Sequence, residues 1–165
     1  MTHFKITLPV IAMTMTITIQ IILSFFLYNY NALQPLRNVG WMIWVFSAIF
    51  GWIPIFALRS KGKVPKGKSY VYTTVLVDTG IYAIIRHPQY LAGIMLSIAL
   101  IFIVQHWIIA LLGIANIIFF YKDIKEADKF GIKKFGDDYI RYMKRVPGIN
   151  FFAGVLRLAK DKIKK

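Results

Sequence analysis

Four apolar stretches divide the chain. Ile6 to Leu27 and Gly40 to Leu58 contain no charged residue, and Pro88 to Gln105 and Trp107 to Tyr121 follow with almost no loop between them. A bilayer core about 30 Å thick takes roughly 20 apolar residues as helix. The first two stretches are therefore predicted to cross a membrane. The last two are predicted to form a tight helical hairpin, each arm slightly short for a full crossing. The first stretch reads as a mature anchor rather than a signal peptide, because "LSFFLYNYNALQPL" follows instead of a small-residue cleavage site. Gly51 and Pro54 in "GWIPIF" predict a kink in the second span. Trp41, Trp44 and Trp52 partly suit an interfacial belt, and His106 beside Trp107 suits an anchor at the hairpin tip.

Two polar segments remain. Ser60 to Arg86 is rich in Lys and Gly, and connections of that length are usually functional or disordered. In Lys122 to Lys165, residues Phe135, Tyr139, Tyr142 and Met143 recur at helical spacing, interrupted upstream by Gly131 and Gly136. That pattern predicts short amphipathic helices near the interface. The expected architecture is all-α, a polytopic integral membrane protein with about four transmembrane helices and short cytoplasmic C-terminal helices. It is read as one domain over 1–165, with N-terminal membrane helices in 1–58, a functional core in 59–155 and a basic tail in 156–165.

Composition agrees, since 58% hydrophobic residues in 165 is too apolar for an ordinary soluble domain. The net charge of +14 follows from position. With the N-terminus cytoplasmic, Lys5, the 59–86 segment and everything after Tyr121 lie inside, and Arg37 alone of the 21 basic residues lies outside. Both termini are thus expected in the cytoplasm, and the charge needs no nucleic-acid partner. "SKGKVPKGK" and "RLAKDKIKK" are expected to touch anionic headgroups of membrane lipids. Cysteine is absent, and His3, His87 and His106 stand in unrelated settings, so no metal site is expected. No glycine-rich nucleotide fingerprint is present. The spans hold no charge to mark a transport path.

Arg86, His87 and Pro88 open the third apolar run. Proline suits the first position of a helix and pushes the residue before it out of helical conformation, so a helix is predicted to start at Pro88. Its unpaired N–H groups and positive dipole end, beside Arg86 and His87, suit an anion. An arginine snorkelling at a span end is equally ordinary, and the residue chemistry leaves both readings open.

The run Arg86-His87-Pro88-Gln89-Tyr90-Leu91-Ala92-Gly93, with its lead-in "LVDTGIYAII", resembles the first motif of the integral-membrane methyltransferases. These are the family of isoprenylcysteine carboxyl methyltransferase and the phospholipid N-methyltransferases. "EADKFGIKKFGDDYIRYMKRVP" resembles the family's second block, an acidic pair followed by FGxxYxxYxxRVP. Together the blocks cover roughly Thr74 to Asn150. Two departures stand out: the acidic pair falls on Glu126-Ala127, with Asp128 one place on, and Gly148 stands where a basic residue often follows.

The resemblance implies methyl transfer from S-adenosylmethionine, held at the cytoplasmic face, to a lipophilic acceptor entering from the bilayer. On that reading His87, Pro88 and Tyr90 at the helix start serve the cofactor carboxylate, and Gly93 permits close approach of the ligand or a neighbouring helix. Glu126 accepts from the ribose hydroxyls or the ammonium. Arg145, with Arg86 second, steers an anionic acceptor group. Phe119, Phe120 and Tyr121 either line an adenine pocket or pack in the membrane, while Tyr139 and Tyr142 pack and close the pocket roof. Helical residues two apart point about 200° apart, so Asp128 is expected on the helix surface and Glu126 alone on the cofactor. An isoprenylcysteine-type carboxylate is the leading acceptor. A phospholipid amine, a small amine or thiol, and a non-enzymatic scaffold stay open, as does the oligomeric state.

Overall fold

The computed structural model describes residues 8–163. His3, Lys5, the Ile6 start of the first expected span, and Lys164 and Lys165 of the basic tail lie outside the described residues. Among those described, all regular structure is helical: α1 (Leu8–Phe26), α2 (Gln34–Lys61), α3 (Ile81–Ile84), α4 (Pro88–Val104), α5 (Trp107–Phe135), α6 (Asp137–Arg145) and α7 (Phe151–Ile163). Helices α2 and α5 are long and apolar enough to cross a membrane, and Val10–Phe26 and Pro88–Val104 are shorter apolar helices. The threonines of α1 tolerate an apolar setting because their hydroxyls bond back along the helix. Thr14 Oγ1 donates to Val10 O at 2.8 Å and Thr18 Oγ1 to Thr14 O at 2.7 Å.

Two boundaries differ from expectation. Helix α2 begins at Gln34 and passes through Pro54. The fourth apolar stretch does not stop at Tyr121; α5 continues to Phe135, through Gly131. A helical glycine costs only about 1 kcal/mol against alanine, and here it has a packing use. A Cβ at Gly131 would lie 2.3 Å from Cζ of Tyr139. The helix breaks only at Gly136, whose φ of 58° suits glycine. The short C-terminal helices therefore start at α6, not after Tyr121.

The chain divides into two compact units, Met1–Ile49 with Leu91–Glu126, and Phe50–Tyr90 with Ala127–Lys165. The first unit is closed by neutral polar groups and small residues. Gln20 of α1 donates through Nε2 to Ser97 O of α4 and Ile109 O of α5, both at 3.2 Å. Its Oε1 accepts from Asn116 Nδ2 at 2.8 Å. Gly113 makes room, since a Cβ there would lie 2.9 Å from Gln20 Nε2. Ser47 Oγ donates to Ala92 O, joining α2 to α4, and Gly40 lets α2 approach Ala99 and Ile103. Ala99, Ile103, Val104 and Ile109 form the apolar core. At the hairpin tip Gln105 adopts φ 51°, and its side-chain amide pairs with both backbone groups of Leu33. His106 stacks on the exposed Trp107 ring.

In the second unit the 60–80 connection folds back on the end of α2. Thr74 N–H donates to Gly62 O at 2.8 Å, and Thr74 Oγ1 donates to Lys63 O at 3.0 Å. Gly62 packs against Thr73, where a Cβ would meet Cγ2 at 2.4 Å. This segment leads into α3 and then, through the extended Ile85, to Arg86 and His87 before α4.

Candidate functional site

Helix α4 starts at Pro88, where proline chemistry puts it. The residues just before it are paired with the far end of the second motif block. Arg86 N–H donates to Pro147 O and His87 N–H to Gly148 O, both at 2.9 Å. The two sequence blocks are therefore hydrogen-bonded through their backbones. Gly148 lies over the pair, with a Cβ position 3.6 Å from Arg86 Nη2 and 3.9 Å from His87 Cδ2.

Side chains tighten the same junction. Arg86 Nη1 donates to Met143 O at 2.9 Å and to Val146 O at 2.6 Å. A cation at the C-terminal end of α6 also meets the negative end of that helix. Arg86 Nη2 donates to Asp128 Oδ2 at 2.9 Å. His87 Nε2 lies 2.8 Å from Asp128 Oδ1, and Tyr139 donates its hydroxyl to the same oxygen at 2.9 Å. The Arg86 and Asp128 side chains are 11% and 14% exposed. Asp128 lies beyond the apolar part of α5, so ordinary charge arguments apply to it. Burial pushes its carboxyl up, but the hydrogen bonds from His87 and Tyr139 and the charges of His87 and Arg86 outweigh that. The net effect holds it below the usual carboxylate range.

The expectation that Asp128 serves the helix surface is thus overturned. Its carboxylate accepts from three side chains, one of them on α6. The helix is unbroken from Trp107 to Phe135, so Glu126 points away from Asp128 as the 200° rule requires, but the exposed one of the two is Glu126. Sequence reasoning found the angle but put Asp128 on the open surface, where the structure instead joins it to Arg86, His87 and Tyr139. It also missed the Tyr139 hydroxyl, whose ring sits on Gly131. Tyr142 donates to Tyr82 O at 2.6 Å. Burial is the leading cause that raises the pKa of Tyr82, Tyr139 and Tyr142, so all three stay protonated.

The other candidates take different places. Tyr90 meets the His87 ring edge-on, with centroids 5.5 Å apart. Gly93 faces a neighbouring helix, with a Cβ position 2.1 Å from Cζ of Phe120. Phe120 is accordingly a buried helix-packing residue. Arg145 is 55% exposed and pairs with Asp78 at 2.6 Å. It borders a cleft of about 420 Å³ with Leu76, Asp78, Arg141 and Tyr142. Asp78 lies in the lead-in "LVDTGIYAII" but was not singled out as a candidate, because its partner is 67 residues away. Of the two arginine candidates, Arg86 has both terminal nitrogens bonded inside the protein, while Arg145 faces open space.

Comparison with known proteins gives a matching pattern. The sequence model of the isoprenylcysteine carboxyl methyltransferase family matches residues 40–130. The protein-S-isoprenylcysteine O-methyltransferases of Homo sapiens and Mus musculus are each 34% identical over 85 residues, covering 50% of this chain and 30% of the relative. That of Schizosaccharomyces pombe is 29% identical over 99 residues, covering 54% of this chain and 42% of the relative. The chain thus aligns with less than half the length of these curated relatives. No solved structure matches it.

Proposed function

The chain belongs to the isoprenylcysteine carboxyl methyltransferase family, and from that membership we propose that it transfers a methyl group from S-adenosylmethionine to a lipophilic acceptor within a membrane. The acceptor we propose is an isoprenylcysteine-type carboxylate. The observation that carries the reading is the junction of the motif blocks, where Arg86 and His87 pair with Pro147 and Gly148. Residues far apart in sequence converge on one short stretch at the start of α4, as a shared ligand site requires.

The donor set fits the carboxylate end of the cofactor. The α4 terminus turns its positive dipole end to such a group, the His87 and Tyr90 rings stand beside it, and Arg86 Nε is buried with no protein partner among the described residues. His87, Pro88 and Tyr90 are the residues proposed to hold that end. The assignment of Glu126 to the cofactor rests on its place in the second motif block. When bound, the cofactor supplies an electrophilic methyl group; the chain has to orient the acceptor and exclude water. The three buried tyrosines stay protonated and Asp128 is committed to three donors. An acceptor that arrives already ionised needs no base, which favours a carboxylate over an amine. Arg145 is proposed to steer it. The charge division of 20 to 1 supports four spans with both termini and the site at the cytoplasmic face.

The test is transfer of labelled methyl from S-adenosylmethionine to a prenylcysteine analogue and to membrane lipid extract, scored for lability in alkali. A base-labile label on the analogue is the expected result. A base-stable label on lipid means an amine acceptor, and cofactor binding without any transfer means a scaffold.

A further inference from the structure

Helix α7 presents two contrasting faces. Its inner face is docked within its own unit. A Cβ at Gly154 would lie 2.0 Å from Ile84 O, Arg157 Nη2 donates to Ala83 O, and Phe151 meets Phe50 of α2 edge-on at 5.2 Å. Only glycine lets α7 sit this close to α3, two residues from Arg86.

The outer face is an apolar stripe that no other helix covers among the described residues. Phe152, Val155, Leu156, Ala159 and Ile163 are all exposed, Phe152 at 79% and Ile163 at 84%. At 100° per residue they share an arc of roughly 100°. Positions 160 and 162 fall to either side of that arc, and both are lysine. The helix it leans on, α2, is long enough to cross a membrane, and its Trp52, Ile53 and Phe56 are also exposed.

We propose that the outer face of α7 docks on a membrane leaflet bearing anionic headgroups, and that this contact holds α3 and the Arg86-His87 stretch in place. An apolar stripe flanked by lysines matches acyl chains below and phosphates beside it. Lipid docking then fixes a helix whose other face is locked to the backbone of Ala83 and Ile84. Membrane lipid composition thereby sets how firmly the motif stretch is held.

The native chain has no cysteine, so single labels at positions 156 and 161 report depth in phosphatidylcholine discs with and without phosphatidylglycerol. The 156 label is expected to be quenched by brominated lipid and the 161 label spared. Phosphatidylglycerol is expected to slow exchange of the Ala83 and Ile85 amides, which bond to Gly80 O and Ile81 O. The expected slowing is about fivefold, the equivalent of one lysine near an anionic surface. The K160E/K162E variant should lose that gain while its 156 label stays quenched. An unquenched 156 label, as a protein partner on the stripe would give, overturns the proposal, and so does equal exchange in both lipids. Neither readout involves methyl transfer, so failure here is distinct from failure of the acceptor assay.

Discussion

Each unit contains a polar joint between helices, and the two joints are of opposite kinds. In the unit of α1, α4 and most of α5, one joint between helices is made by neutral groups: Gln20, Ser47 and Asn116 bond to carbonyls and to one another. In the other unit, the joint is ionic, with Arg86 and His87 on Asp128. Neutral amides suit an apolar surrounding because leaving them unpaired costs little compared with an unpaired charge. An ion cluster is stable only while every member is present. The first arrangement should yield gradually to mutation and the second abruptly.

Asp128→Asn is the sharpest way to break that contrast. It leaves Arg86 and His87 half-paired in a mostly buried place, where removing one partner costs about 3 to 5 kcal/mol, with the lower end apt for a side chain not fully enclosed. Loss of cooperative unfolding in detergent, or a large fall in melting temperature, is expected. Glu126→Gln should leave the protein cooperatively folded and weaken cofactor binding about ten- to hundredfold, as loss of one charged hydrogen bond does. Calorimetry and cofactor titration on both variants decide the matter; equal behaviour would erase the distinction between the two acids.

Gly131→Ala comes next. The added methyl falls 2.3 Å from Cζ of Tyr139, and overpacking of this kind costs about 1 to 3 kcal/mol. Since Tyr139 also donates to Asp128, the variant should loosen the ion cluster as well. A Tyr139→Phe change that destabilises without moving the ring separates the two effects. If Gly131→Ala is neutral in detergent unfolding, Tyr139 is not seated there.

Much of this was legible in the sequence. Pro88 announced the start of α4 because proline chemistry is local. The hairpin followed from two charge-free runs with no spacer between them. Other features depend on partners distant in the chain. Gly131 reads as a helix interruption until Tyr139 is seen on it. Asp128 and Glu126 are correctly assigned to opposite sides by helical geometry, but which side faces inward depends on Arg86 and His87, about 40 residues away. Gln20, uncharged in an apolar helix, gives no signal in charge or hydropathy, though it ties three helices together.

That glutamine gives the neutral counterpart. Gln20→Leu keeps the volume near constant, removes three hydrogen bonds and leaves Asn116 Nδ2 without its acceptor. Polar contacts of this type between membrane helices average about 0.6 kcal/mol and reach about 1.7. A destabilisation within that range, with unfolding still cooperative, is expected. A loss as large as that of Asp128→Asn would show that the neutral joint is as brittle as the ionic one.

Arg145 should show the smallest effect on stability and tests whether exposure separates function from folding. Its pair with Asp78 is 55% and 40% exposed on the two sides, and such pairs contribute about 0 to 1 kcal/mol. Arg145→Ala should therefore leave unfolding nearly unchanged. Under the proposed function the same change removes the charge that steers an anionic acceptor, so the acceptor KM should rise about tenfold or more while cofactor affinity holds. Asp78→Asn supplies the opposite perturbation. It frees the guanidinium from its internal partner, and the acceptor KM should fall with the protein no less stable. If both variants shift KM in the same direction, Arg145 acts by holding Asp78 in place rather than by meeting the acceptor. Arg145 and Asp78 would then be a structural joint at the cleft beside Tyr142, with no steering role.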